Sequence, residues 1–583
     1  MSGKADDALR RLGADVYSLV DIHSAAGTPN RGKMIQTVPS TASIPLTRFG
    51  PFGFGERQPA TKTVSGRVRY GPAVLLILIL FVFALLQCLL PLRTAVKIGA
   101  DEEFELAKAT LCLQGYELYT EIWNDQPPLD TFLVTQILKH ISPSVFGPRL
   151  LSCAFTAILL TAIFLASLRV HGLLTAALTT AWLIASPGFL ELSCSVMQEI
   201  PALAPAVAAL SVLLVGRKTR WHSAEIFAGI LFAAALQMKF IGVVYLPLIA
   251  LILWLRHREA GSALIRPSAT LSLGEGKRSV VGSCANNQFI ATNLLWSMLL
   301  FVTSLAVSFV AIMLLVGGGS YLMQLNQSWA AHFAWAKSFE YGSPSEYPFD
   351  WSVLLKNWDT TVPAVLGIIL SLSQVRRSPV AIVPLVWLAL TLAVFGAHKP
   401  WWSYYYVHNA IPLCWCAAIG MAGLWRRMRH QRSVGLGCLL GVFALVGIAW
   451  MGARVYLQVT SIRRSPQIYS AVVLTEVGRL KPFTKFMYTD DPVYSFHTGI
   501  PLPPKLGVIS LKRFWSGDLT NARLAEELEA VKPGILLLKN NSRELPFNEL
   551  IHAQYRLIYE DADHRLYGHK AVLAKAKQSI TNQ

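Results

Sequence analysis

The chain has 583 residues, 53% hydrophobic and only 15% charged, with a formal net charge of +18. Soluble domains carry about 25% charged residues, and the apolar residues here gather into runs of about 20, the length a helix needs to cross a bilayer. A soluble enzyme and a disordered chain are both excluded. The positive excess does not mark a nucleic-acid surface, because basic and acidic stretches alternate loop by loop as in an oriented membrane protein. The eight cysteines scatter mostly through apolar segments. Cys414 and Cys416 stand as CxC rather than as a metal knuckle, and all read as small buried hydrophobes.

Residues 1–69 are polar, rich in Gly, Pro, Ser and Thr, and hold no apolar leader core. They read as a disordered cytoplasmic tail. Spans are expected at 71–92, 149–170, 173–191, 199–215, 223–238, 241–255, 291–316, 360–374, 379–396, 409–425 and 434–457, about eleven transmembrane helices. This predicts an all-α polytopic membrane body over 70–458. Arg217, Lys218 and Arg220, then Arg256, Arg258, Arg266, Lys277 and Arg278, then Arg376, Arg377, Arg426, Arg427, Arg429 and Arg432 fall in one set of loops. The alternate loops are acidic or balanced, above all loop 93–148. The positive-inside rule makes the tail cytoplasmic and the acidic loops extracytoplasmic. Residues 459–583 then lie outside. They read as a small α/β domain: a helix over 469–480, strands at 486–488 and 535–538, a helix over 525–531, and a hairpin from 555–559 and 565–569. No glycine-rich phosphate loop occurs there, so an interaction or lid role is expected.

Catalysis belongs where polar residues crowd the mouth of an apolar bundle, and loop 93–148 fits best. It reads Gly99-Ala100-Asp101-Glu102-Glu103-Phe104, a helical stretch to Gly115, then Trp123-Asn124-Asp125-Gln126-Pro127-Pro128-Leu129. Glu103 and Glu105 read as solvated first-turn carboxylates favoured by the helix dipole. Asp101 and Glu102 differ in coming directly after a span, where a carboxylate is placed to take a proton from an acceptor at the membrane surface. Glu199 opens a later helix and is either dipole-stabilised or functional. Lys239 interrupts apolar sequence, which is costly unless it snorkels or meets an anion such as phosphate. The run Ala397-His398-Lys399-Pro400-Trp401-Trp402-Ser403-Tyr404-Tyr405-Tyr406 has the ordinary reading of an interfacial aromatic belt.

These residues carry a resemblance. Asp101-Glu102, the helix through Ala107, Gly115-Tyr116, Gln126-Pro127-Pro128-Leu129 and Phe146-Gly147-Pro148-Arg149-Leu150 resemble the opening of the membrane glycosyltransferases with a GT-C fold. More closely, they are similar to the branch of protein O-mannosyltransferases and the bacterial lipid A aminoarabinose transferase. The resemblance spans about residues 71–425. It implies a GT-C body, a polyprenyl-phosphate sugar as donor and inversion at the anomeric carbon. It makes Asp101 and Glu102 the catalytic pair and assigns Asp125, Gln126 and Glu199 to substrate. The stretch Ser328-Trp329-Ala330-Ala331-His332-Phe333 with Lys337 resembles a loop that brings a histidine and cations to the donor phosphate. Lys399 and Tyr405 match a Lys…Tyr…Pro pattern before the next span. Lys239, His332, His398 and Lys399 would then surround a phosphate with donors and positive charge.

One position departs. The aminoarabinose branch commonly has a phosphate-touching lysine before the first loop's proline, and this chain has Gln126. The leaving phosphate must rely on other cations or on a metal ion. Asp125, His332 and His398 carry donor atoms suited to a divalent cation but sit on distant loops, so no cofactor is assigned.

The expected activity is transfer of a sugar from a polyprenyl-phosphate donor to an extracytoplasmic lipid, glycan or protein acceptor, at a bacterial plasma membrane by family analogy. The rival is a transporter or flippase of lipid-linked saccharide, whose charged residues would also lie near membrane level. The long acidic first loop and the extracytoplasmic C-terminal domain favour the enzyme, and no inverted repeat is evident. An odd number of spans places the tail and the C-terminal domain on opposite faces. Tags at the two ends, probed by protease in sealed vesicles, should be cleaved from opposite sides. Cleavage of both from one side would overturn the orientation.

Overall fold

The computed structural model describes residues 70–94, 97–141, 144–216, 222–264, 279–317, 323, 326–327, 342–376, 378–431, 434–464, 470–540 and 548–581. The tail assigned to 1–69 lies outside the described residues, as do His332 and Lys337. From Arg69 onward the chain forms one compact unit.

In chain order the helices are α1 (Gly71–Cys88), α2 (Glu102–Leu113), α3 (Leu129–His140), α4 (Phe146–His171), α5 (Leu173–Ala185), α6 (Glu199–Val215), α7 (Ser223–Met238), α8 (Leu246–Leu264), α9 (Ser279–Gly317), α10 (Trp358–Gln374), α11 (Val383–Ala397), α12 (Tyr406–Gln431) and α13 (Val434–Arg464). Each stretch expected to span is mostly helical, but 173–191 breaks after Ala185 and resumes as a short helix, Phe189–Cys194; loop 93–148 folds into α2 and α3. Among the described residues, seven helical segments are long and apolar enough to cross a membrane, and α5, α6 and α7 are shorter apolar helices. The protein is an integral membrane protein. Ile77 and Phe81 on α1, Val302 and Val307 on α9 and Leu445 and Ile448 on α13 are exposed, as apolar side chains facing lipid are free to be.

At the centre, α12 is buried along most of its length. It meets α10 backbone to backbone: a Cβ at Gly367 would stand 1.8 Å from the Cys416 carbonyl oxygen, and one at Gly420 would stand 2.2 Å from that of Pro363. Small residues are what let membrane helices approach so closely.

The last span continues to Arg464, so the boundary expected at 459 falls inside a helix. The C-terminal domain follows from Ser470 as α14 (Ala471–Leu480), α15 (Val493–Thr498), α16 (Leu511–Ser516) and α17 (Asn521–Val531) with β1 (Met487–Thr489), β2 (Ile535–Lys539), β3 (Tyr555–Glu560) and β4 (His564–His569). Ser470 caps α14 by accepting from the Val473 N–H at 3.2 Å, and Thr520 caps α17 through Arg523 N–H at 3.3 Å. The sheet runs β1-β2-β4-β3, with β1 parallel to β2 and the other pairs antiparallel. Strand β2 is apolar on both faces because both are covered: Ile535 and Leu537 join one core, Leu536 and Leu538 another.

The domain does not stand apart. Ala107 of α2 belongs to its first core, and a Cβ at Gly507 would come 2.5 Å from the Leu111 side chain. The seam also holds a carboxyl pair. Glu103 Oε1 accepts from Lys97 at 2.7 Å, while Glu103 Oε2 and Asp491 Oδ1 are buried without a donor. Two such oxygens bond only by sharing a proton. Burial first, then the hydrogen bond and charge of Asp491, pushes the Glu103 carboxyl up to about 8. Burial opposes ionisation of Asp491 too, but the bond from Glu103 and the charges of Lys539, Lys97 and His564 hold it below the usual carboxylate range.

The sign of the pH effect follows. Undocked, Glu103 loses its proton near the ordinary value of 4.5; docked, it keeps it to about 8. The contribution to docking is full below the lower value and is lost as pH rises through the upper one. Hydrogen exchange in β1 and α15, corrected for intrinsic rate, should quicken between about pH 6 and pH 8, the upper half of this window, and level off above it. Glu103→Gln mimics the protonated form and should flatten the dependence. An equal slope in both proteins would refute the shared proton.

Candidate active site at the mouth of the bundle

The first loop is pinned by a buried ion pair. Glu102 is the first residue of α2, and Arg149 lies in the first turn of α4; both side chains are fully buried. Arg149 Nε and Nη2 donate to the two Glu102 oxygens at 2.8 Å each, and Nη1 donates to the Leu92 carbonyl at 3.0 Å. The Ile98 and Val196 N–H groups complete the carboxylate at 2.7 and 3.1 Å. This corrects the expectation that Glu102 shares the chemistry with Asp101. With each oxygen holding a guanidinium and a backbone donor, it has no capacity to take a substrate proton.

Asp101 is different. It occupies the N-cap position of α2, but its side chain caps nothing. Its carbonyl does the local work, accepting from the Phe104 and Glu105 N–H groups at 3.1 and 3.3 Å. The half-buried carboxylate is left within electrostatic reach of the Tyr404 hydroxyl and in the field of Lys97 and Lys239.

Lys239 ends α7 in extended backbone, and that break aims it at Glu199, the first residue of α6. The two form a buried ion pair. The ammonium also lies over the rings of Tyr404 at 5.5 Å and Tyr405 at 5.4 Å. So Lys239 does not snorkel, and these two tyrosines face a cation rather than forming part of a plain interfacial belt. His398 lies beside Tyr405, with ring centroids 5.7 Å apart. Burial, then Lys512 and Lys239, holds its imidazole below the usual range.

The other wall comes from α2 and α3. Glu103 and Glu105, expected in solvent, are buried. Glu105 accepts from Lys108 at 2.8 Å, and Lys108 reaches Asn124 at 3.0 Å. Asp130, in the first turn of α3, is pushed up to about 7 by burial and then by Glu105, with Lys108, Glu199 and Lys239 also in range. Buried Gln126 donates from Nε2 to Asp125 Oδ2 at 3.1 Å. The same oxygen accepts from Lys512 of α16 at 2.7 Å.

The structure therefore brings together Asp101, Asp125, Gln126, Glu199, Lys239, His398 and Tyr405. It does not bring in Lys399, which is exposed and has no partner among the described residues. The fold of loop one adds Asp130, the aromatic run before α12 adds Tyr404, and the C-terminal domain adds Lys512. Asp130 and Tyr404 stood in stretches already noted for acidity and aromaticity; Lys512 had no sequence signal. The described residues contain no group of three or more His, Cys, Asp or Glu able to hold a metal, and Asp125 is already engaged by Lys512 and Gln126.

Neither a family of known sequences nor a curated protein matches this sequence. Solved structures share its architecture. ArnT from Cupriavidus metallidurans, a lipid A aminoarabinose transferase, superposes in its undecaprenyl phosphate complex with a TM-score of 0.52 at 11% identity, over 86% of this chain and 98% of that one. Its apo state gives 0.53 at 12%, over 86% and 99%. The apo oligosaccharyltransferase of Archaeoglobus fulgidus gives 0.51 at 12%, over 81% and 70%. Both are glycosyltransferases of one fold class. The fold is GT-C. At these identities the likeness concerns the fold; the residues of this GT-C site stand on their own geometry.

Removing Lys239 leaves Glu199 buried without its cation, a loss of about 3–5 kcal/mol for such pairs. Lys239→Met should lower the unfolding temperature in detergent clearly, and Lys239→Met with Glu199→Gln should recover most of it. A single variant as stable as wild type would show that the pair does not hold α6 to α7.

Proposed function

We propose that this protein is an inverting glycosyltransferase that moves a sugar from a polyprenyl-phosphate donor to an extracytoplasmic acceptor, with Asp101 as general base. The observation that carries this is the setting of Asp101: an uncapping carboxylate at the mouth of a GT-C bundle, with Lys239, Tyr404 and Tyr405 around it. Undecaprenyl phosphate bound to ArnT supports a lipid-linked donor. In this reading the acceptor's O–H gives its proton to Asp101 while its oxygen bonds to the anomeric carbon. The bond from that carbon to the phosphate oxygen breaks on the opposite face, and the phosphate keeps the electron pair. No general acid is needed for an anionic leaving group; positive charge suffices. Lys239, held in its pair with Glu199, is assigned to that phosphate as a fixed positive charge from within, and Lys399 is assigned to the rim.

Asp101→Asn keeps size but removes the base, and transfer should fall by roughly 10²-fold or more with carrier binding preserved. Glu102→Gln should act through stability, because it leaves buried Arg149 without its counter-charge; protein that still folds should turn over. Transfer rate and undecaprenyl phosphate affinity of purified protein separate the two. Wild-type turnover by Asp101→Asn would end the assignment. A wild-type protein that binds the carrier lipid and transfers nothing would favour a flippase instead.

A further inference from the structure

The polar ring around Asp101 is short of positive charge. In formal terms Asp101, Asp125 and Glu199 outnumber Lys239 and Lys512, and the Glu105–Lys108 pair adds nothing. An anionic headgroup enters such a ring only if a lysine exchanges its carboxylate for the ligand. Lys239 is poorly placed to do so, being buried, paired with Glu199 and covered by two tyrosine rings.

Lys512 is well placed. Its side chain is 28% exposed, and its ammonium makes one described ion pair, 2.7 Å to Asp125. That carboxylate oxygen already accepts from Gln126, so Asp125 keeps a donor when the lysine turns away. The helix bearing Lys512 is fixed on both sides. Arg513 donates to Asp518 and to the Lys505 and Val508 carbonyls at 2.8 Å each, and lies 5.4 Å over the Trp123 ring of loop one. Trp515 packs on Tyr347 at 6.1 Å, and Tyr347 on Trp402 at 5.1 Å. A lysine of the C-terminal domain thus stands within the electrostatic reach of Lys239, His398 and Tyr405.

We propose that Lys512 binds the phosphate of the lipid carrier, so that the C-terminal domain supplies a cation to the transferase site rather than merely covering it. This rests on the glycosyltransferase reading. The test uses full-length protein in nanodiscs and undecaprenyl phosphate as probe. Lys512→Met should bind about tenfold more weakly, the loss of one charge-assisted hydrogen bond, and Lys512→Arg should bind nearly as wild type. Asp125→Asn decides between binding and docking: it frees the lysine, so affinity should hold or rise. Equal weakening in Asp125→Asn and Lys512→Met would mean that the pair only seats the domain, and would overturn the proposal. So would wild-type affinity in Lys512→Met. If Lys512→Met does not fold, weakened binding in folded Asp125→Asn overturns it alone. Failure of the wild-type protein to bind the probe would instead sink the glycosyltransferase reading itself.

Discussion

The Glu102–Arg149 ion pair is the fixed point of this molecule. It joins loop one to α4, and through the Val196 N–H it also takes hold of the segment leading into α6. A bidentate pair with no solvent exposure stabilises only if its remaining lone pairs and protons are met; here Ile98, Val196 and Leu92 meet them. The result is rigidity where a loop would otherwise drift over the membrane surface. Asp101, one residue before, inherits that rigidity, which a general base requires to sit within hydrogen-bond reach of its acceptor.

Two other ion pairs follow the same logic, each closing a seam between elements. Glu199–Lys239 ties α6 to the end of α7, and Asp125–Lys512 ties loop one to the C-terminal domain. Asp101 forms no ion pair among the described residues and lies within electrostatic reach of the Tyr404 hydroxyl. Carboxylates locked to cations build the site; half-buried Asp101 and buried Asp130 have no such cation among the described residues, and Asp101 is the one proposed for the chemistry. The seams differ in how easily they open. The membrane-side pair is buried, whereas the pair to the C-terminal domain is partly wet, so exchange with a ligand is easier there.

Much of this was legible in the sequence. Runs of apolar residues fixed the helices of the membrane body, because a span needs length and little else. The C-terminal strands were legible for a different reason: Ile535 to Leu538 is an unbroken apolar run before a turn, and residues 555–569 carry a hairpin break at Asp561 and Asp563. Asp101 was singled out from its place after a span, and its side chain caps nothing. What failed was side-chain partnership. Glu103 and Glu105 read as solvated because helix-start acids usually are, but local sequence carries no sign of a domain arriving from residue 470 onward to bury them. Lys512 was invisible on the same ground: its neighbours in the chain give a short amphipathic helix, and only tertiary docking sets it beside Asp125.

The acidic run from Asp101 to Glu105 shows how one helical turn serves several surfaces. Residues in a helix step by about 100°, so neighbouring side chains cannot face the same partner. Asp101, before the first turn, points to Tyr404; Glu102 points to Arg149 in α4; Glu103 faces Lys97 and Asp491; Glu105 turns back to Lys108. The proposed base, the anchor and the docking contact are thus consecutive residues at the start of one helix. The domain that brings Lys512 to the mouth therefore meets, through Glu103, the same helical turn that carries Asp101 and the Glu102 anchor.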